Sequence, residues 1–247
     1  MSACSLPCLA NSANPRGVAP VSTVALTSLA SILSLDRIVF ISAKIALPAA
    51  SSVACALASA IGLPLGAWLG VARFRGQAGV LALLNTALAL PSVVVGLLLY
   101  LLLSRSGPLG FLGWLFSFQA MVLAQTVLVL PVAMALTRQV VHDAERSHGE
   151  QLQSLGASPW MRSVMLAWDE RWALLTVVIA TFSRAIAEVG AVMVVGGNID
   201  GFTRVMTTAI ALETSKGDLA LALALGLVLL AVVLLLHSAM ALLRRGN

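Results

Sequence analysis

The chain has 247 residues, of which 60% are hydrophobic and 10% charged, with a mean hydropathy of +0.99. Soluble domains average about 25% charged residues, so this composition excludes a water-soluble globule and identifies a polytopic membrane protein. The net charge of +5 and pI near 9.9 would suit a nucleic-acid binder, but the cations sit singly in short loops, without a basic face or interleaved aromatics, which excludes that partner. Cys4, Cys8 and Cys55 form no CxxC, and His142, His148 and His237 are scattered. Neither a metal centre nor a cofactor is expected.

In chain order, residues 1–34 hold small and polar residues with Pro7, Pro15 and Pro20. They lack a positive start followed by an apolar core, so they do not read as a signal peptide. They form an N-terminal tail, expected to be unstructured, ahead of a membrane domain at 35–247. The first span is expected over Val39–Leu69, with Lys44, Pro48 and Pro64 inside it. That is longer than the roughly 20 residues a bilayer requires, so the span is tilted, kinked or protruding. The second covers Val80–Leu103, interrupted by Pro91 and Gly96. The third covers Phe111–Leu136, with Pro131 near its end. A polar island follows at 137–171. The fourth span covers Trp172–Val195, and the fifth Leu219–Leu243. The prolines are kinks whose freed carbonyls neighbouring helices must satisfy.

Five spans put the termini on opposite sides of the membrane. With the polar island inside, the inner set is Arg73, Arg75, Arg138, Arg146, Arg162, Arg171, Arg244 and Arg245. The outer set is Arg16, Arg37, Arg105, Arg204 and Lys216. Eight against five follows the positive-inside bias and predicts an outside N-terminus, a cytoplasmic island and a cytoplasmic C-terminus.

Within the island, Glu150 to Trp168 reads as helix, glycine break at Gly156, then amphipathic helix. Trp160, Met161, Val164, Met165 and Trp168 share one helical face. Ser158 suits an N-cap and Pro159 the first helical position. Such a bent pair fits either a docking element or a helix lying on the membrane surface. His142, Asp143 and Glu145 nearby read as a solvated charged surface.

Two polar features lie in or beside the fourth span. Arg184 and Glu188 are four residues apart, hence on one helical face, and charges at membrane depth face a protein interior or a water-filled path. They form either a mutually neutralising pair or a gate beside a pathway. In Gly196–Thr208, Asn198, Thr203, Thr207 and Thr208 offer neutral donors, the glycines let backbone amides approach an oxyanion, and Arg204 supplies positive charge. The same stretch could equally be a connecting turn. There is no Walker loop or nucleophile elbow, so the chain is not expected to hydrolyse ATP or to be an enzyme.

Glu150-Gln151-Leu152 followed by Gly156 resembles the Glu-Ala-Ala-x-x-x-Gly loop of permease subunits in bacterial ABC importers; Gln151 and Leu152 replace the two alanines. The resemblance extends to Asn85–Leu97, Leu101–Gly110 and, above all, Glu188–Thr214, which resemble tungstate importer permeases and, more loosely, molybdate and sulfate permeases. It covers Val39 to Leu243. It implies an all-α membrane protein of about five transmembrane helices with the binding-protein-dependent ABC importer permease fold, in a bacterial cytoplasmic membrane. It further implies a homodimer with the pathway between the copies, two ABC ATPase subunits below, and an extracytoplasmic protein that delivers the oxyanion, tungstate or alternatively molybdate or sulfate. By motif position, Glu150, Gln151, Leu152 and Leu155 fall in a coupling helix, with Gly156 and Ala157 as its turn. Ser92, Arg184, Glu188, Gly190, Asn198, Thr203, Arg204, Thr207 and Thr208 are the pathway or gate candidates. A secondary transporter or channel would need an internal coupling-ion site, usually accompanied by inverted repeats, and none is visible.

Overall fold

The computed structural model describes residues 49–245. The tail, Arg37, Lys44, Pro48 and the first ten residues of the expected first span lie outside the described residues.

The described chain is helical. α1 (Ala49–Val71) is followed by a pair, α2 (Gln77–Leu88) and α3 (Ser92–Leu103), and then by a single 3-10 turn at Gly110–Leu112. α4 (Phe118–Ser154), α5 (Pro159–Asp169), α6 (Arg171–Ile186), α7 (Gly190–Gly196), α8 (Met206–Lys216) and α9 (Leu219–Arg245) complete it. Three of these helices are long and apolar enough to cross a membrane, and two bent pairs, α2 with α3 (96°) and α6 with α7 (56°), bring the number to as many as five when each pair is counted as one span. The expectation of about five spans holds, but two of the five are broken rather than merely kinked.

The first break sits where the sequence carries Pro91. Proline has no amide to continue a helix, and α2 closes with Ala89 N–H donating to Thr86 O at 3.0 Å before Pro91 opens α3 from an extended conformation. Pro64 and Pro131, by contrast, lie inside continuous helices, and Gly96 is a contact point, not an interruption.

The third span differs from its expected bounds. Phe111 and Leu112 belong to the 3-10 turn, and the helix starts at Phe118 behind an N-cap in which Ser117 Oγ accepts from Ala120 N–H at 3.5 Å. It then passes Leu136 without a break and runs to Ser154. Its 37 residues make a rod about 55 Å long, against about 30 Å of hydrocarbon. The first half of the polar island is therefore the protruding end of a membrane helix.

The core is the seam between α1 and α4, which run parallel. On α1 the small residues Ala50, Ala54, Ala58, Gly62, Gly66 and Gly70 recur every fourth position and are all buried. On α4 the buried stripe is Met121, Gln125, Val129, Ala133, Thr137 and Val141. The backbones approach so closely that a Cβ on Gly66 would lie 2.6 Å from Met134 O, and one on Gly62 would lie 2.8 Å from Ala133 Cβ. Small residues four apart allow this approach, and in lipid, where apolar burial drives little, close packing is what holds helices together. A second cluster joins α3, α4 and α7 through Val95, Leu99, Leu103, Ala120, Ala124, Ala191 and Val195. There Gly96 lets α3 touch α7: a Cβ on it would lie 2.7 Å from Ala191 Cα.

Candidate functional site

Two polar regions stand out along α4, one at its far end and one level with Gln125.

At the far end the helix closes in a glycine turn. Gly156 takes the left-handed conformation, φ 76°, which glycine adopts without a Cβ penalty. Its N–H donates to Gln153 O at 2.9 Å, and Ala157 N–H donates to Leu152 O at 3.1 Å. These two bonds satisfy carbonyls that a helix end otherwise leaves bare. Ser158 then caps α5, accepting from Met161 N–H at 3.3 Å, with Pro159 at the first helical position, as the sequence suggested. Glu150 to Leu155 do not form a separate short helix: they are the last turn of α4 and its cap, because no breaker stands between Leu136 and that turn except Gly149, which the helix tolerates. Glu150 and Gln151 are exposed, Leu152 and Ala157 are half-buried, and Leu155 at the tip is 83% exposed.

α5 packs back on α1 and α4 with the face opposite its tryptophans. Leu166 joins Ala67, Val71, Val141 and Ala144 in one apolar cluster. Beside it, Arg162 Nη1 meets Glu145 Oε1 at 3.1 Å, with both side chains largely buried. Gly149, one turn beyond, leaves the room for that carboxylate: a Cβ there would lie 2.7 Å from Glu145 Cδ. So Glu145 is not the solvated surface residue its neighbourhood implied; it clamps α5 to α4. His142 adds a further tie, its Nδ1 lying 3.1 Å from Gly70 O at the end of α1. Trp160, Met161, Val164, Met165 and Trp168 face outward. A cleft of about 540 Å³ runs between the end of α4 and α5, lined by His148, Gln151, Leu152, Met165 and Trp168 among others.

The second region is the break between α6 and α7. Arg184 ends α6, and Glu188 sits in the break. Arg184 Nη1 donates to Glu188 Oε2 at 2.9 Å, and the pair is unequal, with Arg184 45% exposed and Glu188 3%. The other carboxylate oxygen accepts from Ala191 N–H at 3.3 Å, and Thr207 Oγ1 donates to Glu188 O at 3.1 Å. The pair therefore does not bridge two spans; Glu188 serves the broken span itself. Gln125 on α4 reaches the same level, its Nε2 donating to Ser51 Oγ at 3.0 Å and to Ala185 O at 3.2 Å.

The remaining candidates fall into three groups. Ser92 and Gly190 meet where α3 crosses the start of α7, a Cβ on Gly190 lying 2.8 Å from Ser92 Oγ. Asn198, Thr203 and Arg204 share the turn after α7: Thr203 Oγ1 donates to Gly196 O at 2.6 Å and accepts from Ile199 N–H at 2.9 Å. Arg204 Nη1 pairs with Asp200 Oδ1 at 3.0 Å, and its Nη2 donates to Asn198 O at 3.4 Å. Thr208 caps α8, accepting from Val205 N–H at 3.0 Å and donating to Val205 O at 3.0 Å. The hydroxyl protons of Thr203, Thr207 and Thr208 are thus committed to main-chain carbonyls in this conformation. Sequence reasoning missed the Glu145–Arg162 clamp, Gly149 and Gln125. The fourfold spacing Met121, Gln125, Val129, Ala133, Thr137, Val141, Glu145, Gly149 is the signal that could have found them.

A bundle of unbroken and broken apolar spans, with a clamped helical bend projecting from one end, is the architecture of a polytopic membrane protein. Over residues 62–246 the sequence matches the family of binding-protein-dependent transport system inner membrane components, and the chain belongs to that family. It is 42% identical to the tungstate uptake system permease protein TupB of Peptoclostridium acidaminophilum over 74% of this chain and 80% of that one. With TupB of Campylobacter jejuni it shares 39% identity over 67% of this chain and 69% of the relative. With the sulfate transport system permease protein CysW of Escherichia coli it shares 40% over 56% of this chain and 50% of the relative. The chain is an inner-membrane, multi-pass permease subunit of an ABC importer, not an enzyme, and works with a separate ATPase and a binding protein.

Proposed function

We propose that the protein is the permease of a tungstate importer, with molybdate or sulfate as the alternative cargo. The observation that carries the cargo is identity held over length: the tungstate permeases are 42% and 39% identical over 74% and 67% of this chain, whereas the sulfate permeases reach 40% over only 56% of it, or cover 66% at 32–33% identity. In this reading two copies form the pathway. The Glu150–Ala157 end of α4 is the cytoplasmic coupling element that contacts the ATPase, with the N-terminus outside and the C-terminus inside. The clamped geometry supports that role, since Arg162, Glu145 and Leu166 tie the bend at the tip to the end of the α1–α4 seam.

The test is elemental uptake. Cellular tungsten and molybdenum are measured by mass spectrometry with and without the gene, at trace tungstate in excess molybdate and sulfate. Loss of tungsten accumulation alone is expected. Loss of molybdenum uptake in tungstate-free medium would widen the cargo to oxyanions generally. No change in either metal, with ATPase and binding protein expressed, would refute the cargo assignment.

A further inference from the structure

We infer that Arg184 is the residue that meets the oxyanion in the membrane, and that Glu188 is a resident counter-ion which the passing dianion displaces. The inference rests on the import reading given above and deepens it. It starts from depth: Ala185 is bonded to Gln125, seven residues into α4, so Arg184 lies about 10 Å below the start of that helix. An arginine at this level cannot face lipid without large cost, and faces a protein interior or a water-filled path instead.

The second ground is the inequality of the pair. Glu188 is held from three sides, by Arg184, by Ala191 N–H and, through its carbonyl, by Thr207. Arg184 is held from one. A guanidinium carries five N–H donors in a planar fork that matches tetrahedral oxyanions, and here one Nη is engaged while the side chain stands 45% exposed. In the single chain the pair buries the acid, fixes it, and leaves the base open. The third ground is function: a bare cation at this point would trap a dianion, whereas conduction requires entry and release. A fixed carboxylate 2.9 Å from the guanidinium supplies the competing partner. The anion takes donors from Glu188 on arrival, and Glu188 reclaims them on departure.

The experiment uses the full permease with its ATPase in proteoliposomes, supplied with tungstate-loaded binding protein; uptake and ATP hydrolysis are read together. Arg184→Gln is expected to lower uptake by roughly tenfold or more, the scale on which truncating one member of a close charge pair acts. Arg184→Lys retains part of the uptake. The exchange Arg184→Glu with Glu188→Arg restores a pair but inverts the open charge, and uptake is expected to stay low; recovery by the exchange would overturn the inference in favour of a purely structural pair. In detergent, without binding protein, dialysis against sodium tungstate reads the site directly. Glu188→Gln is expected to retain more tungsten per complex than the unmodified protein, and Arg184→Gln less. Equal retention in all three would overturn the inference even if the exchange variant failed to assemble. Normal uptake by Arg184→Gln would overturn this inference alone, and absence of uptake by the unmodified complex would overturn the import reading with it.

Discussion

The glycine turn at Gly156 gives a graded test of coupling. The turn needs two things of residue 156: a left-handed φ of 76° and an N–H that reaches Gln153 O at 2.9 Å. Space is not a constraint, because nothing lies within 4 Å of a Cβ built there. Asparagine visits the left-handed region through local hydrogen bonding, so Gly156→Asn should transport nearly as the unmodified protein does. Alanine keeps the N–H but takes the left-handed conformation at a cost of about 1–2 kcal/mol, so Gly156→Ala should retain reduced transport. Proline fails on both counts: its ring fixes φ near −65°, and it removes a bond with a net value of about 1 kcal/mol. The tip is then redirected, while the α1–α4 seam, about four turns away, is untouched.

The assay compares tungstate uptake, permease abundance in the membrane and ATPase co-purification across the series. The expected order of uptake is Gly, then Asn, then Ala, then Pro, with uptake abolished in Gly156→Pro although the protein inserts and accumulates. Normal uptake by Gly156→Pro would refute the coupling role of this turn. Equal losses in Asn and Pro would refute the conformational argument and indicate that the position tolerates no side chain at all.

Further consequences follow from the same geometry. Arg162→Met leaves Glu145 buried without its cation, a loss of about 3–5 kcal/mol for a broken buried pair; limited proteolysis should cut the α4–α5 bend faster, and Arg162→Met with Glu145→Met should recover protection. Ser158→Ala removes the α5 cap and should cost about 1 kcal/mol, seen as a small uptake loss that Ser158→Asp restores. Gly66→Leu forces a side chain against Met134 O, 2.6 Å from the Cβ position, and should abolish accumulation of the permease in the membrane, measured by immunoblot; normal abundance would show that the α1–α4 seam is not the core.

How much of this was legible in the sequence depended on the kind of signal. The number of spans and the Gly156–Ser158–Pro159 turn were readable because each depends on local chemistry: a run of apolar residues, or a glycine, a cap and a proline in order. The start of the third span differs from its expected place because Phe111 and Leu112 are as apolar as a helix but lie after a turn closed by Gly107 and Gly110, where a Cβ would run into Leu101 O and Ser104 O respectively. Hydropathy cannot register that. Glu145 stands in sequence among polar and charged residues, His142, Asp143 and Arg146, which points to a solvated surface, and Asp143 and Arg146 are indeed exposed. Its burial depends on Gly149 and on Arg162 seventeen residues ahead, a tertiary fact. The orientation of α5 was invisible for a related reason: its apolar face is the more hydrophobic one, yet the clamp and Leu166 turn the other face to the bundle.

The broken span explains why an acid stands at residue 188 in a stretch otherwise made of Ala, Val, Gly and Ile. A helix that stops inside a membrane exposes amides and carbonyls with no water to receive them, and such backbone is tolerated only where protein groups take them up. At this break Glu188 N–H donates to Ala185 O at 3.3 Å, its carboxylate takes Ala191 N–H, and its carbonyl takes the Thr207 hydroxyl. Glutamine could fill the acceptor roles almost as well, so backbone satisfaction alone accounts for a polar residue and not for its charge. The charge is accounted for by Arg184, and Arg184 in turn is not required by the backbone, since the helix end behind it is closed by Ala187 N–H donating to Ser183 O at 3.1 Å. The arginine is the one member of the group that the break does not need. The proposed contact with the oxyanion supplies the reason for an arginine that is open on one side and tethered on the other.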